Sequence, residues 1–597
     1  MTDTIPVLVA AHAQGKLLTA TMEETYARIA RHNDPALLIA ARPKEETLAI
    51  AEMAQAEGPA GKPLFGVPFV VKDNIDVAGL PTTAACPAFA YLPGRSAFVV
   101  EKLEKAGAIV VGKTNLDQFA TGLVGVRSPY GVPRNALKSD LIPGGSSSGS
   151  ATAVAAGLVP FALGTDTAGS GRVPAALNGI VGLKPSLGAL SASGVVPACR
   201  TLDTISVFAL DVADAFAVFA AACCYDENDP WSRIFPPPAL SEAPRGLRIG
   251  VPRSGQLQFF GDGQAEAAFT RALALVSSLG LNVVEFDFEP FAEVARLLYE
   301  GPWVAERYAA TKRLIEANPG ALHPVTRAII EGALKFDAVA AFEASYRLEA
   351  LKRKTGGAWS GFDAMLVPTV PRLYTIAEVE ADPVQLNSRL GTYTNFVNLL
   401  DLSAVAVPSG MRDDGLPSSV TLIGRSGADG LLAGLAGAVH AQSGAPIGAT
   451  GARPTEPAPA SVAAPDGRIA LAVVGAHLAG LPLNHELAEL GASFLREAET
   501  AEDYRLFALP TTPPKPGLLR VGAGAGTAIK LEIWTLDPAG FGAFVAKIPP
   551  PLGIGTVRLS DGKSVKCFLV EAEAVKTAKD VSRFGGWRAF LKAGAEA

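Results

Sequence analysis

The chain has little of what usually marks a metal or redox centre. Its 597 residues include only five cysteines and six histidines. Cys86, Cys199, Cys223, Cys224 and Cys567 are odd in number and lack metal-ligand or redox spacing. Adjacent Cys223 and Cys224 follow an Ala-rich apolar run and read as buried free thiols, which suit a reducing cytoplasm. Neither a metal nor a cofactor is expected. Charge is sparse as well: 18% of residues are charged, the net charge is −6, and no run of like sign occurs. Without a basic face, a nucleic-acid partner is not expected. Membrane-length apolar runs are missing too, since the apolar stretch 151–164 is too short to span and carries Pro160. The N-terminus MTDTIPVLVAAHAQGK has no basic segment leading into an apolar core, so it does not read as a signal peptide. These absences point to a soluble, cytoplasmic protein without membrane partners.

What is abundant is glycine (61) and proline (45), in a chain whose length suggests two to four domains. Residues 1–55 read as helical, with a capping-box pattern from Thr21 to Glu24 and a helix opening at Lys44-Glu45-Glu46. From residue 63 to about 188, strand-like runs (FGVPFVV, AIVVG) alternate with Ala-rich helical ones (ATAVAAG). That alternation predicts an α/β fold, a mixed sheet covered by helices on both faces. A charged, helical stretch at about 260–355 reads as an insertion that walls a pocket. Residues 443–467, rich in Pro, Ala and Gly, read as a linker. Beyond it, 468–597 reads as a smaller C-terminal α+β domain, leaving 1–442 as the catalytic domain.

The chemistry concentrates between residues 144 and 175, in GGSSSGSATAVAAG and GTDTAGSGRVPA. Ser146 and Ser170 stand 24 positions apart, each where a Gly-rich turn feeds a helix. A neutral serine needs a base within hydrogen-bond reach. His12, His32, His323, His440, His477 and His485 all lie away from these loops in the sequence. Lysine can serve if an apolar setting lowers its pKa, and Lys72 follows an apolar run, Phe69-Val70-Val71. Taken alone, Lys72 reads first as a strand-end lysine reaching solvent.

Together, GKPLFGVPFVVKDNIDVAG, GGSSSGSATAVAAG and GTDTAGSGRVPAALNGIVGLKPS resemble the amidase signature family over roughly residues 20–440. Ser148 stands where the commonest family pattern has glycine, which removes no catalytic atom. The resemblance implies amide hydrolysis with Ser170 as nucleophile, Ser146 as bridging serine after a cis peptide bond, and Lys72 as ultimate base. Backbone N–H groups of Thr167, Ala168, Gly169 and Ser170 would then form the oxyanion hole, and Ser147 would help hold the relay. Asp166 and Arg172 read as an ion pair bracing the loop, and Ala120–Gly125 as a pocket wall of backbone groups.

Residues 468–597, with VVGAHLAGLPLNHEL near the start and FGGWRAFL near the end, resemble the C-terminal domain of allophanate hydrolases, a fold similar to γ-glutamyl cyclotransferases. That resemblance implies a carboxylated urea as substrate, bound by Tyr299 and Arg307. In one helix these two, eight apart, would share a face two turns on, but Gly301-Pro302 between them is a helix breaker. It also implies decarboxylation of the first product by the C-terminal domain, with His477 and His485 as candidate groups. A homodimer is implied, as is functional coupling to a urea carboxylase or to a cyanuric-acid or biuret pathway. The residues leave open a broad-specificity aliphatic amidase, a glutaminase-type component of an amidotransferase, and a C-terminal domain that serves only in dimerisation.

Overall fold

The computed structural model describes residues 4–236, 238–242, 246–454, 468–511 and 514–595. The chain divides into two compact units. One comprises Met1–Phe235, Ile249–Leu279 and Val283–Pro457. The other comprises Pro236–Arg248, Gly280–Asn282 and Ala458–Ala597.

The larger unit is organised by an eleven-stranded sheet. Its strands are β1 (Leu38–Ala41), β2 (Pro68–Lys72), β3 (Ile109–Thr114) and β4 (Phe161–Asp166). They continue with β5 (Val181–Lys184), β6 (Thr204–Ala209), β7 (Arg248–Pro252) and β8 (Asn282–Phe286). β9 (Ala364–Pro368), β10 (Leu402–Met411) and β11 (Pro417–Arg425) complete it. The spatial order is β1-β3-β2-β4-β6-β5-β10-β11-β9-β7-β8. Every residue of β2, β3, β4, β5, β6 and β9 is buried. Strands covered on both faces carry continuous apolar runs rather than alternation, and FVV and AMLV follow that rule.

The sheet is mixed: β2 runs parallel to β3 and β4, whereas β4 and β6 are antiparallel. The parallel pairing decides the site. It brings the carboxyl ends of β2 and β4, with Lys72 and Thr165-Asp166, to one edge of the sheet, where α/β folds place their ligands. Helix Ser148–Ala155 packs with β2 and β4 in a core containing Val70, Ala151, Val154 and Ala162. A second core gathers Phe286, Phe288, Phe291 and Phe396 beneath helix Glu289–Glu300.

Four local readings change. Residues 1–55 are not wholly helical, because Leu38–Ala41 joins the sheet edge through β3. Thr21 caps nothing: helix Leu18–His32 starts before it, and its buried hydroxyl pairs with His12 Nε2 at 2.8 Å. The charged stretch 260–355 likewise contains a strand, β8. Cys223 and Cys224 are free but only partly buried. Of the stretch read as a linker, 455–467 lies outside the described residues. Its beginning is anchored: Ile447 is buried, and Gly448 N–H and Ala449 N–H donate to the carbonyls of Gly179 and Ala155.

The second unit holds a five-stranded and a three-stranded sheet. β12 (Ile469–Val473), β13 (Ser493–Glu499), β14 (Tyr504–Leu509) and β15 (Lys515–Arg520) come first. β16 (Lys530–Leu536), β17 (Leu552–Arg558), β18 (Ser564–Val570) and β19 (Lys579–Asp580) follow. The orders are β13-β16-β12-β18-β17 and β15-β14-β19. Short segments far upstream belong to this unit, with Ser241 Oγ donating to the Phe494 carbonyl at 2.6 Å.

Candidate active site

Lys72 ends β2 and is fully buried. Its Nζ donates to Ser146 Oγ at 2.8 Å and to Thr165 Oγ1 at 2.7 Å. Burial pushes the ammonium down to about 7, against the opposing pull of Asp117, Asp203 and Asp166, while the Arg307 charge lowers it further. A lysine that would be a cation in water is therefore half neutral near physiological pH. Among the described residues no histidine hydrogen-bonds to Lys72, Ser146 or Ser170.

The serine loop is held from both sides. The Gly145–Ser146 peptide bond is cis. Asp117 N–H donates to the Ser146 carbonyl at 3.1 Å, and the Asp117 carboxylate accepts from the N–H groups of Val124, Gly125 and Arg127. No side chain fits at Gly145, where a Cβ would lie 2.0 Å from Asp117 Oδ2. Ser147 Oγ donates to the Thr165 carbonyl at 3.3 Å, tying the loop to β4.

Ser170 is buried in the turn between β4 and helix Val173–Asn178. Its hydroxyl donates to the Gly122 carbonyl at 3.4 Å, not to Ser146. Asp166 and Arg172 brace the turn as a fully buried bidentate pair, each bond 2.9 Å. Asp166 also takes the N–H of Gly169 at 2.9 Å and of Gly171 at 3.0 Å. This corrects the expected oxyanion hole: the Gly169 N–H is already committed, which leaves those of Thr167, Ala168 and Ser170. Gly169 has φ of 135° and a Cβ there would lie 2.4 Å from Thr394 Oγ1, so only glycine fits the turn.

Tyr299 and Arg307 are on different helices. Helix Glu289–Glu300 ends at Gly301, and Val304–Ala317 begins beyond Pro302. The break still brings them together, with Arg307 Nη2 at 3.5 Å from Tyr299 Oη and the guanidinium 5.5 Å from the ring centroid. Arg307 is buried, and its Nη1 donates to the Ala120 carbonyl at 3.2 Å and to Thr121 Oγ1 at 3.0 Å. Phe119 and Ala120 both have φ of 51°, a strained conformation for residues with a Cβ. The strained loop thus faces its carbonyls inward: Ala120 to the guanidinium, Gly122 to Ser170.

In the second unit His477 and His485 part company. His485 is exposed, with Nδ1 2.8 Å from the Pro482 carbonyl. His477 lines a cavity of about 240 Å³ that also contains Glu486, Lys515, Lys547, Phe544 and Phe568. Its ring stacks on Phe568 at 5.6 Å, meets Phe544 edge-on at 5.1 Å, and places Nε2 at 3.2 Å from Glu486 Oε2. Burial lowers its pKa while Glu486 opposes the shift.

Residues 20–433 match the Amidase family and residues 469–592 the allophanate hydrolase C-terminal domain. The chain belongs to the amidase family. It is an amidohydrolase. A urea amidolyase of Saccharomyces cerevisiae is 47% identical over 545 residues, covering 89% of this chain and 30% of that protein. The chain thus spans under a third of the length of that curated relative. The structure of Kluyveromyces lactis allophanate hydrolase superposes with a TM-score of 0.80 at 43% identity, covering 98% of each chain. A glutamyl-tRNA(Gln) amidotransferase component from Symbiobacterium thermophilum is 38% identical over 402 residues, 62% of this chain and 80% of that one.

Sequence reasoning passed over Thr165 and Asp117, and took Gly122 only as part of the backbone wall Ala120–Gly125. Thr165 sits four residues after Phe161 in the run FALGTD, a polar residue ending a buried strand, which was a usable signal. Gly122 acts through its carbonyl and Asp117 largely through loop N–H groups, and neither leaves a mark in side-chain patterning.

Proposed function

We propose that this amidohydrolase hydrolyses allophanate in two steps, one in each unit. The carrying observation is that a buried cation and the nucleophile are tied to one loop, Ala120–Gly122. Arginine binds a carboxylate bidentately, so Arg307, steadied by Thr121 and Tyr299, suits the carboxylate end of the substrate. The amide end then meets Ser170. Similarity to K. lactis allophanate hydrolase along nearly the whole chain supports this reading.

In the first step neutral Lys72 takes a proton from Ser146 as Ser146 takes one from Ser170. For this the Ser170 hydroxyl turns from Gly122 to Ser146. Ser170 Oγ attacks the terminal carbonyl, and its new oxyanion lies against the N–H groups of Thr167, Ala168 and Ser170. Each such donor contributes about 3 kcal/mol in the transition state. The relay returns a proton to the departing nitrogen, ammonia leaves, and water cleaves the acyl-enzyme to give N-carboxycarbamate. In the second unit, folded like a γ-glutamyl cyclotransferase, His477 delivers a proton to the nitrogen of that dianion. The C–N bond breaks, its electrons stay on nitrogen, and carbon dioxide and carbamate leave. Carbamate takes a further proton and divides into ammonia and carbon dioxide.

We place the enzyme in the cytoplasm as a homodimer, supplied by a urea carboxylase or by a route that breaks down cyanuric acid or biuret. Ammonia release from allophanate, malonamate, acetamide, glutamine and urea tests the substrate. Turnover of allophanate with little of acetamide or glutamine is expected. Turnover of acetamide or glutamine without allophanate overturns the proposal in favour of a broad amidase or a glutaminase.

A further inference from the structure

The cavity of the second unit carries more positive charge than a lone histidine site requires. Lys515 opens β15, and Lys547 follows the last turn of helix Pro538–Ala546. Both line the same space as His477, and Glu486 is the only carboxylate among its lining residues. That single carboxylate, one oxygen of which meets His477 Nε2, carries too little charge to neutralise both lysines. Both lysines are exposed residues of the wall, while the imidazole is clamped between Phe544 and Phe568. The backbone of residues 473–476 forms another wall and is held close: a Cβ on Gly475 would lie 2.0 Å from Pro516 Cγ.

We propose that this cavity is a binding site for small dicarboxylates, with Lys515 and Lys547 as the paired cations that select a dianion over a monoanion. Two cations on separate elements favour a ligand with two anionic ends, because a single carboxylate leaves one ammonium without a counter-charge. Between those ends the ligand presents its central atom to His477. The inference gives the second step of the proposed function its substrate selection and rests on that reading only for the identity of the natural ligand.

Malonate is the probe, since −OOC–CH2–COO− has the shape and charge of N-carboxycarbamate without its lability. The full chain is labelled at its histidine rings, and the His477 resonance is the one missing from His477→Gln. Because the reporter lies in the cavity, malonate bound elsewhere does not mimic the result. Malonate is expected to shift that resonance saturably, with acetate much weaker. Lys515→Gln and Lys547→Gln should each weaken malonate by about tenfold, with Lys→Arg restoring most of it. Both lysines are exposed, and the ring-current position of His477 over Phe568 reports whether the cavity is intact. An unmoved His477 resonance, acetate binding as tightly as malonate, or equal affinities in the Gln variants would overturn the proposal. If malonate binds as described yet carbon dioxide release is unaltered in His477→Gln, the dicarboxylate site stands and the decarboxylation reading falls.

Discussion

The two units handle charge in opposite ways. Around Ser170 the charged groups are buried and partnered by the protein itself: Lys72 by two hydroxyls, Arg172 by Asp166, Arg307 by a carbonyl and Thr121. Around His477 the cations stand at the wall of an open cavity, and only the imidazole is held firmly. The difference matches the chemistry proposed for each. Acyl transfer needs a base that is unprotonated at neutral pH, and lysine becomes one only when water is removed from it. The proton transfer proposed for the second unit needs attraction for a small dianion and a titratable group, which two exposed lysines and a histidine supply.

The comparison breaks most sharply at the nucleophile. Ser170→Ala should lower ammonia release from the amide by about 10⁴-fold or more, with the melting temperature nearly unchanged. Retained turnover would remove Ser170 from its role. His477→Gln should instead separate the two products in time. Membrane-inlet mass spectrometry would record carbon dioxide lagging behind ammonia, and synchronous release would make the second unit non-catalytic.

Removing one member of the buried Asp166–Arg172 pair leaves an uncompensated charge. Asp166→Asn should therefore destabilise the larger unit by about 3–5 kcal/mol in urea unfolding. Loss of only a few tenths would show that the guanidinium finds other acceptors. Arg307→Ala should raise KM for allophanate by about 100-fold, the range for losing a charge-assisted bidentate contact. The acetamide rate should hardly change. A fall in kcat with constant KM would assign Arg307 to the chemical step.

The smallest effect is also the most diagnostic. Lys72 must be neutral to accept a proton, so kcat/KM should fall as pH drops through about 7, tenfold per unit below it. Thr165→Val removes an acceptor from the ammonium, which disfavours the charged form and should move this limb to lower pH. A limb that stays in place would exclude Thr165 from setting the base.

Much of the larger site was legible because its residues carry their chemistry in side chains within strong local patterns. Ser146, Ser170 and Lys72 stand in Gly-rich turns and at the end of an apolar strand, and the Asp166–Arg172 brace could be read from their positions beside the nucleophile. The Gly169 N–H was misassigned because a carboxylate's choice of backbone donors depends on how tightly the turn closes. Tyr299 and Arg307 meet across a helix break, so no period relates them. Lys515 and Lys547 stand 32 positions apart, and nothing local joins them.

The amino-acid sequence by itself determined the class of reaction: two serines 24 apart, a lysine behind FVV, and turns rich in glycine. Tertiary structure alone decided that the lysine's charged form is disfavoured, because its pKa depends on exclusion of water by strands distant in the chain. It alone decided that the Gly169 N–H is taken by Asp166 and that Arg307 is buried against the loop that also holds Ser170. Local patterns specify turns and nucleophiles; solvation and charge pairing exist only once the parallel strands have brought remote residues together.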